Sequence, residues 1–275
     1  ALFIYKRSPY TFFRAIPGGS GIKGPISLIK ISNNQQFIAY SNQLGDLAVH
    51  SLNGLLSKTI VTRLEAPCTS FFWHFSDKEF YCGDINGNVS VVNLNFFLGR
   101  SLISIQAHRI LELDDAIVQI DGFNDFLLIS STSKTILCNN DREEFKQLGN
   151  RPRDGTFGSC FVTDFEALEN QESKLLNIDE DTYETMLMEN VTIYCSRPGM
   201  RLWEINLNGN ILKTHQYKNA NFSAQQVHLL SGNTKSISAD TSPLMLDKTN
   251  QFQIANSLLN QFVFTYNECG FYIIS

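Results

Sequence analysis

Two stretches of the chain decide its fold, because they repeat one pattern at nearly constant spacing. Residues 37–50 read FIAYSNQLGDLAVH, and residues 80–92 read FYCGDINGNVSVV. In each stretch a short apolar run leads into Asn, Asp and Gly residues and then into a second apolar run, which predicts two strands joined by a tight turn. The phenylalanines that open the two stretches lie 43 positions apart, and the turn glycines Gly45 and Gly87 lie 42 apart.

Further strand-like runs flank both hairpins. Ile26–Ile31 precedes the first hairpin and Thr59–Val61 follows it, whereas only Thr69–Phe75 is recognisable beside the second. Looser copies of the unit use strands at 118–121, 126–130, 135–138, 145–148, 159–162, 192–195, 201–205, 212–217, 262–265 and 271–274. Four strands per unit at a period of about 40–45 residues is typical of a propeller blade. The sequence therefore predicts an all-β, WD40-like β-propeller, present as a partial ring of about five to six blades in a single domain, 1–275.

Two segments interrupt this rhythm. Residues 166–189 contain eight acidic residues and one lysine, and residues 231–251 are rich in Ser, Thr, Asn, Asp and Lys. Acidic segments with few aromatic residues are typically solvated and partly disordered, so we expect both segments to be loop insertions between strands. An acidic docking loop is the alternative for residues 166–189.

The overall composition restricts the partners and the location. A formal charge of −5 disfavours nucleic acid as a partner, because phosphate binding requires clustered Lys and Arg. No apolar run approaches the length of about 18 residues that a membrane-spanning helix needs. The six cysteines form no C-x-x-C pair and lie in apolar runs, so we expect buried thiols in a reducing compartment and place the protein in the cytosol.

No motif indicates catalysis. Residues 19–24 match G-x-G-x-x-G, but Pro25 and a strand follow where a dinucleotide site needs a helix. The five histidines lack the spacing of a helix-borne zinc site, and His50 and His74 are expected to be half-buried structural residues. We therefore predict that the protein is not an enzyme and has no catalytic residues, no cofactor and no metal site.

Two segments stand out as candidate interaction sites. One is the hairpin that carries Arg197, Pro198, Gly199, Arg201 and Trp203; the other is the connecting loop that carries Arg151, Arg153, Asp154 and Gly155. Arg and Trp are enriched where protein partners bind most strongly. The alternative is packing within the fold through an Arg–aromatic or Arg–carboxylate contact.

These two segments also carry a family resemblance. Residues 126–217 resemble the N-terminal propeller of the Hermansky–Pudlak syndrome protein 5 family, including its insect pink-like members. The matching residues are Leu128–Ser131, Asp141–Phe145, Gly149–Asn150, Arg153–Gly155, Phe157–Gly158, Cys160–Phe161, Tyr194–Gly199, Arg201, Trp203–Glu204, Asn208–Gly209 and Thr214–Tyr217. Tectonin β-propeller repeat-containing protein 2 is the next nearest, through its Ser-Arg-Pro-Gly and terminal Asn-Glu segments.

The resemblance implies a function as well as a fold. It implies a subunit of the biogenesis of lysosome-related organelles complex 2, in which the partners are the syndrome proteins 3 and 6. That complex is cytosolic, associates peripherally with endosomes without a transmembrane segment, and routes cargo to pigment granules and related organelles. The alternatives are an autophagy or secretory-pathway scaffold of the tectonin type and, from another class, a propeller enzyme or small-ligand binder that uses the central channel.

Overall fold

The computed structural model describes residues 2–7, 10–16, 21–52, 59–97, 101–140, 143–151, 153–164, 180–199, 201–216, 252–257, 260–267 and 270–274. The chain divides into two compact units, residues 1–117 and residues 118–275, which are described in turn.

Unit 1 contains a two-stranded ribbon and two four-stranded antiparallel sheets. The ribbon is β1–β2, the first sheet (blade I) is β3–β6, and the second (blade II) is β7–β10, with neighbours in space following chain order. The strands are β1 (Leu2–Arg7), β2 (Tyr10–Ile16), β3 (Ile26–Ile31), β4 (Phe37–Asn42), β5 (Asp46–Ser51), β6 (Thr59–Arg63), β7 (Cys68–Trp73), β8 (Glu79–Asp84), β9 (Asn88–Phe97) and β10 (Ser101–Glu112).

Aromatic side chains fill the space between blades I and II. Trp73 is 2% exposed, and its ring stacks on Phe37 at 6.4 Å and tilts against Phe80 at 4.7 Å between centroids. The indole nitrogen of Trp73 donates a hydrogen bond to the carbonyl oxygen of Lys30 at 3.3 Å, so its polar atom is also satisfied. Fully burying side chains of this kind stabilises the fold by roughly 1.5–3 kcal/mol each. The two blades therefore share one core.

Side chains four residues apart hold the central turns of both blades. In blade I, Asn42 Oδ1 accepts the backbone amides two and four residues on, both at 2.9 Å, and Asn42 Nδ2 donates to Asp46 Oδ2 at 2.8 Å. In blade II the chemistry is reversed, because Asp84 Oδ1 accepts the two amides at 2.9 Å and Asn88 Nδ2 donates to Asp84 Oδ2 at 2.8 Å. Short polar side chains that bond nearby backbone are a recurrent way of fixing turns.

Unit 2 contains two four-stranded sheets and one three-stranded sheet. Blade III is β11–β14, blade IV is β15–β18, and the C-terminal sheet is β19–β21. The strands are β11 (Ile117–Phe123), β12 (Phe126–Ser131), β13 (Thr135–Asn139), β14 (Glu144–Gln147), β15 (Ser159–Thr163), β16 (Val191–Arg197), β17 (Arg201–Ile205), β18 (Ile211–Gln216), β19 (Phe252–Ser257), β20 (Asn260–Asn267) and β21 (Gly270–Ile274). Helix α1 (Glu180–Glu189) lies between β15 and β16.

An apolar cluster joins blades III and IV. Its buried members come from both sheets, and Phe126, Trp203 and Leu207 pack against it at the periphery. The buried members are Leu128, Leu137, Leu148, Phe161, Val191, Ile193, Cys195 and Ile205. Strand β12 is buried at five consecutive positions, which is the pattern of a strand that is covered on both faces.

The prediction of an all-β, WD40-like propeller fold is confirmed. The sheets are antiparallel meanders of up to four strands each, which is the architecture of propeller blades. Among the described residues there are four such sheets of four strands, one of three and one of two. The single domain over 1–275 stays a prediction.

The structure differs from expectation in four strands and in the acidic segment. Strands β1, β2, β10 and β19 are not among the predicted strands. Strand β10 (Ser101–Glu112) was not recognised, because its register shifts between Leu102 and Ser104 and between Arg109 and Leu111, and each bulge breaks the alternation that marks a strand. The interpretation of residues 166–189 as a loop is wrong for residues 180–189, which form α1, and residues 166–179 lie outside the described residues. Acids at the start of α1 favour its N-terminus, and Met186 provides a buried anchor that is 7% exposed. Residues 231–251 lie outside the described residues.

Candidate interaction site

Arg153 is a buried residue that donates hydrogen bonds to both blade III and blade IV at one edge of the two sheets. Its side chain is buried, at 5% exposure, in the connection that joins β14 to β15. Nη2 donates to Thr135 Oγ1 at 2.7 Å and to three carbonyl oxygens, those of Phe157 at 3.0 Å, Ser131 at 3.1 Å and Lys134 at 3.2 Å. Nη1 donates to the carbonyl oxygen of Ser196 at 3.1 Å. One guanidinium therefore ties the β12–β13 turn of blade III to the end of β16 in blade IV.

The charge of Arg153 is compensated by dipoles rather than by a carboxylate. Among the described residues, no ion pair includes Arg153, and its Nε has no hydrogen-bond partner. Burial lowers the pKa of Arg153 to about 10; Cys195 opposes this shift, and the neighbouring Arg197 charge adds to it. The side chain still carries its charge at neutral pH. The hydrogen bonds that it donates to four carbonyl oxygens and one hydroxyl offset the cost of burying this charge.

Arg197 and Trp203 form the second part of the site. The guanidinium carbon of Arg197 lies 4.2 Å from the centroid of the Trp203 ring, and Arg197 Nη2 donates to the carbonyl oxygen of Arg151 at 3.3 Å. Gly149 presses on the same ring, since a Cβ at this position would lie 2.7 Å from Trp203 Cζ3. Burial lowers the pKa of Arg197; Cys195 opposes the shift, and Arg201 adds to it. The predicted Arg–aromatic packing within the fold is present, and its cation is Arg197.

The remaining predicted residues lie around this buried pair. Arg151, Asp154, Gly199 and Arg201 are exposed, and Gly155 and Pro198 are partly buried. Arg201 Nε donates to the carbonyl oxygen of Pro198 at 2.8 Å, which closes the β16–β17 turn. The structure thus brings the two predicted segments together at one edge of unit 2, where buried arginines fix the loops and exposed charged residues face solvent. A role in partner binding stays a prediction.

Several residues of this site were missed by the sequence analysis. Ser131, Thr135 and Ser196 supply acceptors to Arg153, yet nothing in their local sequence distinguishes them from the other Ser and Thr residues of the chain. A second missed group is a polar row across blade IV, in which Glu204 Oε1 accepts from His215 Nε2 at 2.6 Å and from the Tyr194 hydroxyl at 3.3 Å. Tyr194 pairs with Glu204 across β16 and β17, and counting outward from the Pro198–Gly199 turn would have placed these two residues opposite each other.

The expected absence of enzyme chemistry can be compared with the described part of the chain. Within it, no three His, Cys, Asp or Glu residues are grouped so as to hold a metal ion. The glycine-rich motif leads into β3 at Ile26 rather than into a helix. No helix in the same residues has the length and apolar character needed to span a bilayer.

The thiols and His50 behave as structural residues. Cys68, Cys82, Cys138, Cys160 and Cys195 are buried and free, as predicted, whereas Cys269 lies outside the described residues. Burial raises the pKa of the Cys138 and Cys195 thiols to about 12, which disfavours the nucleophilic thiolate. His50 is 5% exposed, and its Nδ1 lies 2.8 Å from Thr59 Oγ1.

Known proteins are similar to this chain in fold and in sequence. The crystal structure of Saccharomyces cerevisiae Sqt1 superimposes with a TM-score of 0.51 at 15% identity, covering 76% of this chain and 54% of that protein, which concerns the fold alone. No family model matches the chain.

Sequence comparison is more specific than the fold. The BLOC-2 complex member HPS5 homolog of Anopheles gambiae is 36% identical over 288 residues, covering 100% of this chain and 32% of the mosquito protein. Human tectonin β-propeller repeat-containing protein 2 is 27% identical over 154 residues, covering 55% of this chain and 9% of that protein. The chain thus spans about a third of the length of the mosquito relative. Over that span, insect homologues that are 34–38% identical to this chain are named BLOC-2 complex member HPS5 homolog.

Proposed function

We propose that this chain is a non-catalytic protein-interaction scaffold and a subunit of the biogenesis of lysosome-related organelles complex 2. The observation that carries the proposal is the match along the entire chain to a relative whose name states membership of that complex. The described residues add no grouping of side chains that favours a propeller enzyme, and the tectonin-type alternative matches only 55% of the chain.

The buried arginines of unit 2 give this scaffold a defined surface. Arg153 and Arg197 hold three connections at one edge of blades III and IV, so the exposed Arg151, Asp154 and Arg201 sit on fixed backbone. Loops fixed on a rigid sheet frame are the usual place for recognition, because little ordering entropy is lost on binding. We infer that this edge contributes to subunit contacts.

The partners of the proposed scaffold follow from the family resemblance. They are the syndrome proteins 3 and 6, and the complex would associate peripherally with endosomes from the cytosol. Its role there would be the delivery of cargo to pigment granules and other lysosome-related organelles.

Affinity purification of the full-length protein from cells, followed by mass spectrometry, tests the proposal. We expect the syndrome 3 and 6 proteins at near-equal amounts with the bait. Recovery of autophagy or coat components in their place would support a tectonin-type scaffold instead, and recovery of no partner would reopen the small-ligand alternative.

Paired charge reversals then test the proposed edge. R151E/R201E should weaken recovery of the partners, whereas K23E/K78E makes the same change of charge at exposed positions of unit 1 and should not. Equal recovery with both variants would remove the edge from the interface while leaving complex membership intact.

A further inference from the structure

A large cleft opens between blades III and IV at the edge opposite the arginine site. It has a volume of about 1040 Å³ and is bounded by the β11–β12 and β13–β14 turns, helix α1 and the β17–β18 turn. Small-molecule sites are mostly apolar and occupy about 300–1,000 Å³. This cleft is at the upper end of that range and has a charged rim, which suits a peptide segment better than a small ligand.

The charged residues at the rim of the cleft are mostly acidic. Asp125, Glu144 and Glu189 line the cleft and are exposed, and within the described ranges none of them belongs to an ion pair. Lys146 is the basic residue of the lining, and its Nζ donates to the carbonyl oxygen of Asn208, which partly commits that charge to the protein itself. The rim therefore complements a ligand that carries positive charge.

The floor of the cleft is apolar. Phe126, Leu137, Val191 and Leu207 line it, and all four belong to or pack against the apolar cluster that joins blades III and IV. An occupant with apolar side chains between its charges would cover the exposed parts of this cluster, and its charges would reach the acidic rim. An extended segment places successive side chains on opposite sides and so satisfies both requirements.

Helix α1 is a fixed wall of the cleft. Met186 anchors it in the protein, and both the backbone amide and the side-chain amide of Asn190 donate to the Met186 carbonyl oxygen, at 3.2 and 2.8 Å. The amide of Asp164 in turn donates to the carbonyl oxygen of Asn190 at 2.9 Å, which ties the end of α1 to the end of β15. The acidic segment thus contributes an ordered, preformed wall at its C-terminal end.

We propose that this cleft docks an extended segment of a partner protein in which lysine or arginine residues alternate with apolar residues. The proposal rests on the scaffold function proposed above, for which it names a second docking surface and the chemistry of the segment bound there. The acidic rim would select positive charge, and the apolar floor would select the alternation.

Direct titration of the purified 275-residue chain tests the cleft separately from complex membership. The probe is a fluorescein-labelled peptide in which lysine and valine alternate, and its controls are a peptide with glutamate for lysine and one with the lysines and valines in two separate blocks. E144Q/E189Q removes two rim charges, and E65Q/E112Q removes two exposed charges in unit 1. We expect the first variant to weaken binding about 5- to 10-fold and the second by less than about twofold.

Three outcomes would contradict the proposal that the cleft docks such a segment. No binding of the alternating peptide, equal binding of the blocked peptide, or equal weakening by the two variants would show that no site of this specificity exists. Because the titration contains no other subunit, such a result leaves the co-purification of the complex unaffected, and loss of co-purification with intact peptide binding would instead overturn the proposed function.

Discussion

Blades I and II of unit 1 and blade III of unit 2 differ in how their central turns are held. In unit 1, the β4–β5 and β8–β9 turns are fixed by a side-chain pair within the turn, Asn42 with Asp46 and Asp84 with Asn88. In blade III, the β12–β13 turn has a local hydrogen bond from the Lys134 amide to Ser131 Oγ, and it is also bound by Arg153, which lies 18 positions beyond Thr135 in the β14–β15 connection. A local pair needs only its own few residues, whereas the arginine needs two blades already in place.

The spacing of the repeats also differs between the two units. The unit-1 repeats recur at 42 and 43 positions, and both contain a central turn held by residues four positions apart. The spacing is looser in unit 2, where blade IV accommodates α1 in the β15–β16 connection. Insertions in connections cost little, because the entropy of closing a loop grows slowly with its length.

Removing the guanidinium of Arg153 should have the largest effect on stability. Arg153→Met would take the donor from three buried carbonyl oxygens, those of Ser131, Phe157 and Ser196, and we expect it to lower the free energy of unfolding by about 4 kcal/mol. Urea unfolding measures this. Exposed Arg151→Met, the matched control, should change it by less than about 0.5 kcal/mol. If the two variants are equally stable, the guanidinium is not what holds the two blades together.

Trp203→Ala comes next. It would remove the ring on which Arg197 stacks and the surface on which Gly149 packs, and we expect a loss of about 3 kcal/mol. Trp203→Phe, which keeps an aromatic surface, should lose about a third of that in the same thermal and urea unfolding measurements. Unchanged stability together with lost partner binding would place Trp203 in an interface and not in the packing of unit 2.

The two local turns of unit 1 should differ from each other in their tolerance of a side chain. Gly87 and Gly45 both have positive φ, +91° and +84°, but an added Cβ would lie 2.2 Å from the Leu113 carbonyl oxygen in blade II and 2.9 Å from the Leu64 carbonyl oxygen in blade I. Gly87→Ala should therefore cost about 2 kcal/mol or more and Gly45→Ala about 1 kcal/mol in urea unfolding. The reverse order would contradict the packing of the two turns.

Exchanging Asn42 and Asp46 in the β4–β5 turn should have a smaller effect on stability. Asn42→Asp places two carboxylates together and should cost about 1.5 kcal/mol, because the hydrogen bond to Asp46 becomes a like-charge contact. Adding Asp46→Asn recreates the arrangement of blade II and should recover about half, since the Lys23 carbonyl oxygen still loses its donor. A double variant as unstable as the single one would show that the two turns are not interchangeable.

The pH dependence contributed by His50 should be the smallest effect. Burial, and then the charge of Arg14, lowers the pKa of His50, so the unfolded chain takes up a proton at a higher pH than the folded chain. Stability is then lost as the pH falls below about 6.5, the ordinary value for histidine. We expect His50→Gln to reduce this loss between pH 7 and pH 5 in urea unfolding, while exposed His108→Gln leaves it as in the wild type. An unchanged slope in His50→Gln would contradict the shift.

The sequence predicts the strands of blade I and three of the four strands of blade II, because these repeats carry their own turn chemistry. Ile26–Ile31 is observed where alternation indicated it, the strand predicted at Thr59–Val61 extends to Arg63, and the turn at Gly45 follows from its local residues. The sequence does not predict β10, because two bulges shift which side chains point to each face of the sheet. Bulges are set by the partner strand rather than by local sequence.

The sequence predicted which residues belong to the candidate site but not how they are arranged. The residue types of Arg153, Arg197 and Trp203 singled out the two segments, but packing and binding are indistinguishable at that level. Which arginine is buried depends on where the loop from β14 meets the β16–β17 hairpin. The acidic cleft was not predicted at all, because its lining comes from four separate connections of unit 2.

The blade repeat, the all-β class and the family resemblance can be read from the amino-acid sequence, since each of these depends on spacing and local residue identity. The packed blades are needed to show that Arg153 is a buried tie, that Arg197 rather than Arg201 stacks on Trp203, and that part of the acidic segment is a helix bounding a cleft. Burial and long-range hydrogen bonds exist only once separate blades have packed together, whereas turns and alternation are properties of a few consecutive residues.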